Sequence, residues 1–260
     1  MIQVRRYAKW VGVFLGGGLL VLLMSVAAQA QVEEEFHRTV ALPANGQVSL
    51  DNVNGNAEIT GWDRNEVQID AVKKARNQQR LDEARIEVET GSDYVKIRTQ
   101  YPNDHINNNP ASVHYTLHVP QNARLDRVSL VNGSLTVQKV TGEVDASLVN
   151  GKAHIGDLAG AVKVSSINGG IEANYSSLNN VREIKLKSVN GSIELGLPGS
   201  PNADVKASTI TGGIKSDFPL TVQGSFASHN LSGTLGSGGT RIELSNVNGS
   251  IHIGSARGSL

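Results

Sequence analysis

Residues 135–170 read LTVQKVTGE, VDASLVNGK, AHIGDLAGA and VKVSSINGG, four successive blocks of nine. Apolar side chains hold the first, third and sixth place of each block: Leu135, Val137, Val140; Val144, Ala146, Val149; Ala153, Ile155, Leu158; Val162, Val164, Ile167. A turn pair follows each time: Thr141-Gly142, Asn150-Gly151, Ala159-Gly160, Asn168-Gly169. Self-similarity at a fixed period decides architecture before local propensity does. Apolar places two apart form one face of a strand. The next step, of three, breaks that alternation, so the chain must bend inside each block as well as at its glycine. This pattern predicts an all-β protein, a β-solenoid of stacked coils of roughly 18–22 residues. The rival is an antiparallel meander or β-sandwich, because Asn-Gly between apolar runs is also the strongest hairpin signal.

Asn132, Asn150 and Asn168 recur every eighteen residues, with Thr141 and Ala159 between them. Two blocks of nine therefore make one coil, with asparagine at one corner and other residues at the opposite one. Stacked asparagines can bond along a ladder, and the following glycine supplies a positive φ. The expected structural turns are Asn54-Gly55, Asn132-Gly133, Asn150-Gly151, Asn168-Gly169, Asn190-Gly191 and Asn248-Gly249, with Thr211-Gly212 and Ser232-Gly233 as further corners. Residues 197–201 and 236–239 should bulge out as loops. Coils cannot bury their apolar face singly, so stability should be a sum over coils and their interfaces.

Upstream, Val48, Leu50 and Val53, then Ala57, Ile59 and Trp62, then Val67, Ile69 and Val72 keep the same phase. That places Trp62 inward, as a cap over the first coil. Lys73 to Ala84 is polar and reads as a solvated excursion, with room for a short helix around Gln79–Arg85. Residues 86–97 read as a hairpin, Tyr101 to Ser112 as an exposed loop, and Val113 to Val119 as a strand ended by Pro120. At the other end, Ile251 and Ile253 form the last coil in the sequence, whose uncovered edge would invite self-association.

Residues 1–30 carry the pattern of a secretory signal peptide: Arg5, Arg6 and Lys9, an apolar run from Trp10 to Val26, then Ala28-Gln29-Ala30 at the cut. A retained membrane anchor is the alternative. Residues 31–127 are expected to hold N-terminal coils, hairpin and cap, and residues 128–260 the repeat solenoid, continuous with it as one structural domain. Lys plus Arg and Asp plus Glu each number 24, which excludes the basic excess of a general nucleic-acid binder. Cysteine is absent, so disulfides are not the stabilising device.

No convincing catalytic, cofactor-binding or metal-binding set emerges. His114 and His118 lie about 13 Å apart on one strand, too far to share an ion. His105, beside Asp104, sits in the Asn-rich loop. The turn position carries Asn, Thr or Ala rather than the aspartate of calcium-binding repeats, and Asp51, Asp63 and Asp70 do not recur with the period. Gly233 to Gly238 reads as a low-complexity loop, with neither a nucleophile elbow nor the lysine of a phosphate loop. Glu143, Asp145, Glu172 and Glu194 are outward carboxylates that alternation explains without chemistry.

Several stretches resemble a bacterial family known as putative adhesins, a domain of unknown function with a β-solenoid fold. They are Phe36–Leu50 with Leu42-Pro43, Leu50–Gly55, Gly61-Trp62-Asp63, the strand end Val119-Pro120, and the Val-Asn-Gly-Ser-Ile coils at Val189–Ile193 and Val247–Ile251. The resemblance spans nearly all of the chain after residue 30 and brings no catalytic residues. It implies an exported or envelope-attached bacterial protein, located in the periplasm, on the outer surface or secreted. The expected function is an adhesin-like, non-catalytic structural or binding protein. Its partner is an envelope protein or glycan, with no nucleic acid, and with membrane contact only through an uncleaved N-terminus. The alternatives are a polysaccharide-active enzyme using outward carboxylates such as Glu172 and Glu194, and a membrane-anchored accessory protein.

Overall fold

The computed structural model describes residues 31–102, 111–222 and 230–256. The expected signal peptide, Asp104 and His105 lie outside them. The N-terminal part contains β1 (Val32–Ala41), β2 (Gln47–Asn54), β3 (Ala57–Trp62) and β4 (Glu66–Ala75). Helix α1 (Gln78–Glu83) follows, then β5 (Arg85–Thr90), β6 (Tyr94–Gln100) and β7 (Ser112–Pro120). The regular coils are β8 (Arg124–Asn132) with β9 (Leu135–Gln138), β10 (Val144–Asn150) with β11 (Ala153–Gly156), β12 (Val162–Asn168) with β13 (Ile171–Asn174), and β14 (Glu183–Asn190) with β15 (Ile193–Leu197). The C-terminal part adds β16 (Ala203–Thr211), β17 (Ile214–Ser216), β18 (Thr221–Val222), β19 (Asn230–Leu235), β20 (Thr240–Asn248) and β21 (Ile251–Ser255).

Two sheets face each other. One runs β1-β4-β7-β3-β9-β11-β13-β15-β21-β17, the other β18-β19-β16-β20-β14-β12-β10-β8-β2-β6-β5. From β3 to β17 and from β16 to β6 every neighbouring pair is parallel, so each coil contributes one strand to each sheet. The Asn-Gly pairs are corners between sheets, and the meander reading is excluded there. The fold is a β-solenoid. Among the described residues, antiparallel strands occur only at its ends: β1, β4 and β5 at one, β18 and β19 at the other.

The two halves of a coil are not equivalent, which corrects the nine-residue phase. In the short half the expected places hold: Leu135, Val137 and Val140 are buried, as are Ala153, Ile155 and Leu158. In the long half the strand keeps strict alternation past the third place. Val144, Ala146 and Leu148 point inward, and Val149 turns out. Val53, Val131, Ile167 and Val189 are likewise exposed rather than buried. The inward place before the corner is held by Asn52, Leu130, Leu148, Ser166, Ser188, Asn246 and Thr209 in the seven coils, mostly polar and all buried. Their partners explain the polarity. Ser188 Oγ donates to Gly169 O at 3.1 Å, Asn246 Nδ2 to Gly191 O at 2.7 Å, and Thr209 Oγ1 to Gly249 O at 3.1 Å. Each satisfies a corner carbonyl that the strand ladders leave over.

Four other expectations are corrected. The last coil in the sequence is not the end of the stack: β21 lies between β15 and β17, and β20 between β14 and β16. Val247-Asn248-Gly249-Ser250-Ile251 repeats Val189-Asn190-Gly191-Ser192-Ile193 letter for letter, and the two stack directly. The coil ending in Thr211 takes the outside place, so Ile251 and Ile253 are buried and offer no open edge. Ser232-Gly233 is no corner but part of antiparallel β19, together with Thr234 and Leu235. Val72 points outward on β4, a straight strand antiparallel to β7. The polar excursion is partly core: Leu81 is buried, and Lys73 is buried against Glu34 at 3.0 Å while donating to Leu81 O and Ala84 O.

Candidate functional site

The asparagine corner is the most regular surface of the molecule. Asn132 Nδ2 donates to Asn54 Oδ1 at 2.9 Å, Asn150 to Asn132 at 2.8 Å, Asn168 to Asn150 at 2.9 Å, Asn190 to Asn168 at 2.9 Å, and Asn248 to Asn190 at 2.8 Å. Each glycine after them packs against the glycine one coil away. A Cβ on Gly133 would lie 2.0 Å from Gly55 O, on Gly151 2.0 Å from Gly133 O, and on Gly169 1.8 Å from Gly151 O. Close approach therefore demands glycine along the whole ladder. A positive φ adds to the demand at Gly55, Gly151, Gly191 and Gly249, where φ is 119°, 157°, 155° and 144°.

Beside this ladder runs a column of outward aliphatic side chains, one per coil: Val53, Val131, Val149, Ile167, Val189, Val247 and Ile210 in stack order. Ile167 is 46 % exposed and Ile210 70 %. The next outward column toward the strand middle is Asp51, Ser129, Ser147, Ser165, Lys187, Ser245 and Ser208, with Ser129 Oγ and Ser147 Oγ 3.1 Å apart. Scattered surface aliphatics need no explanation, but an in-register row does. The sequence pattern conceals this row, because its phase places Val53, Val149 and Ile167 in the core.

The opposite sheet carries the charged candidates. His154, Glu172, Glu194 and His252 hold corresponding outward places on β11, β13, β15 and β21, with Lys215 next on β17. His154 Nδ1 lies 3.2 Å from Glu172 Oε2, and His252 Nε2 2.9 Å from Asp217 Oδ2. That His252 contact holds the Asp217 carboxyl below its ordinary value, with Lys215 at 3.3 Å adding to the effect. A hollow of about 210 Å³ is lined by Glu172, Glu194, Asn174, Asp217, His252 and neighbouring backbone. The structure thus brings Glu172 and Glu194 together. Glu143 is exposed before β10, and Asp145 pairs with Lys163 at 3.1 Å on the other sheet. Among the described residues, no group of three or more His, Cys, Asp or Glu is arranged to hold a metal ion.

Trp62 is not the inward cap. It stands on the outer face of β3, half-buried, with Nε1 donating to Glu66 O at 2.9 Å. The Arg64 guanidinium lies 4.7 Å from its ring centroid and the His118 ring 5.2 Å away. His114 accepts a bond from the Asn56 backbone at 3.3 Å. Asp51 faces Arg98 at 3.6 Å, Asp70 bonds His37 at 2.7 Å, and Asp63 is exposed in a turn. Among the described residues the buried Tyr175 hydroxyl has no hydrogen-bond partner, and burial pushes its pKa far up.

Among the described residues no helix is long and apolar enough to cross a membrane. No curated protein matches the chain. Solved structures do. One, named a putative cell adhesion protein from Clostridium sporogenes, is 16 % identical, with 84 % of this chain and 98 % of that one covered at a TM-score of 0.46. A putative adhesin from Bacteroides fragilis is 12 % identical, covering 85 % and 96 % at 0.39. A putative lipid binding protein from Parabacteroides distasonis is 12 % identical, covering 86 % and 97 % at 0.31. A shared fold carries no function by itself. The family model Toastrack DUF4097 matches residues 44–254, from the turn before β2 to the end of the last coil. The chain belongs to the Toastrack DUF4097 family.

Proposed function

We propose that this chain is an exported cell-envelope protein, adhesin-like and non-catalytic, that binds a protein or glycan through the outer rows of its coils. One observation carries the reading: seven coils each set an outward valine or isoleucine in register beside the corner, which is asparagine in six of them. Such a surface suits an extended partner better than a small substrate. The signal pattern of residues 1–30 supports export. Two measurements test it together. Sequencing the N-terminus of the mature protein should give a chain starting at Gln31, and an envelope extract passed over the immobilised protein should yield a saturable partner. A mature chain that still begins at Met1 in the cytoplasmic fraction overturns the reading.

The hollow beside Glu172 and Glu194 favours a second reading, an enzyme acting on envelope polysaccharide. Turnover of peptidoglycan or a common polysaccharide that disappears in Glu172→Gln or Glu194→Gln would replace the binding role. Saturable binding without products supports it.

A further inference from the structure

We infer that the aliphatic column beside the asparagine ladder is a binding track for an uncharged linear polysaccharide lying along the stack axis. The inference rests on the binding role proposed above and names its partner class.

Three features of the track point to this occupant. The first is its charge. Taking the serine column, the aliphatic column and the asparagine column over seven coils, only Asp51 and Lys187 are charged, and they have opposite signs. In the whole chain 18 % of residues are charged. A neutral strip offers nothing to an anionic polymer or a basic peptide.

The second feature is chemistry across the strip. An apolar ridge is flanked on one side by hydroxyls and on the other by carboxamides. Within the ladder Asn132, Asn150, Asn168 and Asn190 each use one N–H and the side-chain oxygen, which leaves a second amide N–H on each of them. A sugar chain matches this cross-section, with C–H faces for the ridge and hydroxyl edges for both flanks.

The third feature is size. Seven rungs at about 4.8 Å give a track about 29 Å long, and four backbone positions make it about 13 Å wide. That is about 400 Å², against about 800 Å² per partner in a stable protein–protein interface. A second copy of this chain could not hold on through the strip alone. A thin polymer that touches every rung uses all of it.

The test is affinity electrophoresis or calorimetry of the purified protein against cello- and chito-oligosaccharides. Polygalacturonate serves as the anionic control, and a neutral extended peptide as the polypeptide control. The expected result is retention by a neutral glycan that grows with glycan length and is unchanged between low and high salt, because no charges are screened. The double variant Ile167→Ser/Val189→Ser should lower affinity at least tenfold with an unchanged melting temperature, since both side chains are exposed. Ile210→Lys, at the outer end of the stack, should shorten the usable track and abolish the gain from the longest oligosaccharides. Preference for polygalacturonate or the peptide, equal binding by the double variant, or no retention of any neutral glycan each overturns the inference. In all three cases the binding role stands or falls separately, on the envelope extract.

Discussion

The two corners of the solenoid obey different rules. At the asparagine corner, every crossing from the long strand to the short one takes two residues: 55–56, 133–134, 151–152, 169–170, 191–192, 249–250 and 212–213. At the opposite corner the crossings take five residues after β9 and β11, eight after β13, five after β15, and far more after β3 and β17. All the irregular elements enter there: β1's partner β4, helix α1, the β5–β6 hairpin, β7, β18 and β19. The difference is physical. At the asparagine corner glycine packs on glycine with no space for a Cβ, and five side-chain bonds run on from coil to coil. At the other corner, among the described residues, glycine packs on glycine once, Gly160 over Gly142. Beyond them the chain is free to wander outward, where loop length costs little.

The contrast is broken most directly by moving an insertion from one corner to the other. Three residues added after Gly151 would separate β10 from β11 and cut both ladders. The expected result is loss of the cooperative transition in thermal denaturation. The same three residues after Asn179, at the exposed tip of the crossing between β13 and β14, should cost under about 1 kcal/mol. A single methyl group asks the same question more gently. Gly169→Ala puts a Cβ 1.8 Å from Gly151 O, backbone against backbone, and should destabilise by about 3 kcal/mol or more. Gly199→Ala, where nothing lies within 4 Å, should stay within about 0.5 kcal/mol of the parent. Equal urea midpoints for the two alanine variants would mean that the glycine stack can relax.

The bonds of the ladder should count for less than its packing. Asn168→Ala removes one donor to Asn150 and one acceptor for Asn190, both exposed. Water can replace each, so about 1 kcal/mol is expected. The buried polar column behind it should be more sensitive. Asn246→Ala strips Gly191 O of its side-chain donor in the interior, for about 1–3 kcal/mol. If Asn168→Ala cost more than Asn246→Ala, the outer ladder rather than the inner bonds would be holding the corner. Chemical denaturation of the two variants decides between them.

Much of this corner was legible in the sequence, because it repeats. The coil architecture, the position of the Asn-Gly corners and the eighteen-residue pairing of halves could all be read from residues 132–169. The hairpin at residues 86–97 and the strand ending at Pro120 followed from alternation. Three features did not show, each for its own reason. The outward turn of Val53, Val131, Val149, Ile167 and Val189 was hidden because valine and isoleucine serve a strand's outer face as well as its core. The signal that could have found it was Leu130 and Leu148, which carry on the inward alternation of Val128 and of Val144 and Ala146, while the polar Asn52, Ser166 and Ser188 at the same place concealed it. The insertion of β20 and β21 into the stack was hidden because sequence order suggests spatial order. Here the identical Val-Asn-Gly-Ser-Ile pentapeptides were the clue. The buried Lys73 could not be inferred from a polar run, since its partner Glu34 sits 39 residues away on β1.

The smallest effect should appear farthest from the ladder, on edge strand β1. No corner locks this strand: it is antiparallel to β4 and has one open side. Part of its attachment is polar. His37 Nδ1 meets Asp70 Oδ1 at 2.7 Å, and Glu35 Oε2 lies 3.6 Å from Nε2. The hydrogen bond to Asp70 is the main reason that the His37 pKa rises above its ordinary 6.5, and the Glu35 carboxylate adds to it. A raised folded-state pKa means that the folded form binds the proton more tightly. The contribution is therefore complete below the unfolded value and is lost as pH climbs through the folded one. His37 is largely open to water, so the effect is local rather than global. Amide exchange along β1, corrected for intrinsic rate, should speed up slightly from pH 6 to pH 8, while exchange in β10 and β12 stays constant. In His37→Gln the β1 rates should lose their pH dependence. If β10 and β12 respond as β1 does, the end of the stack and its middle open as one unit, and the division between laddered and unladdered regions fails.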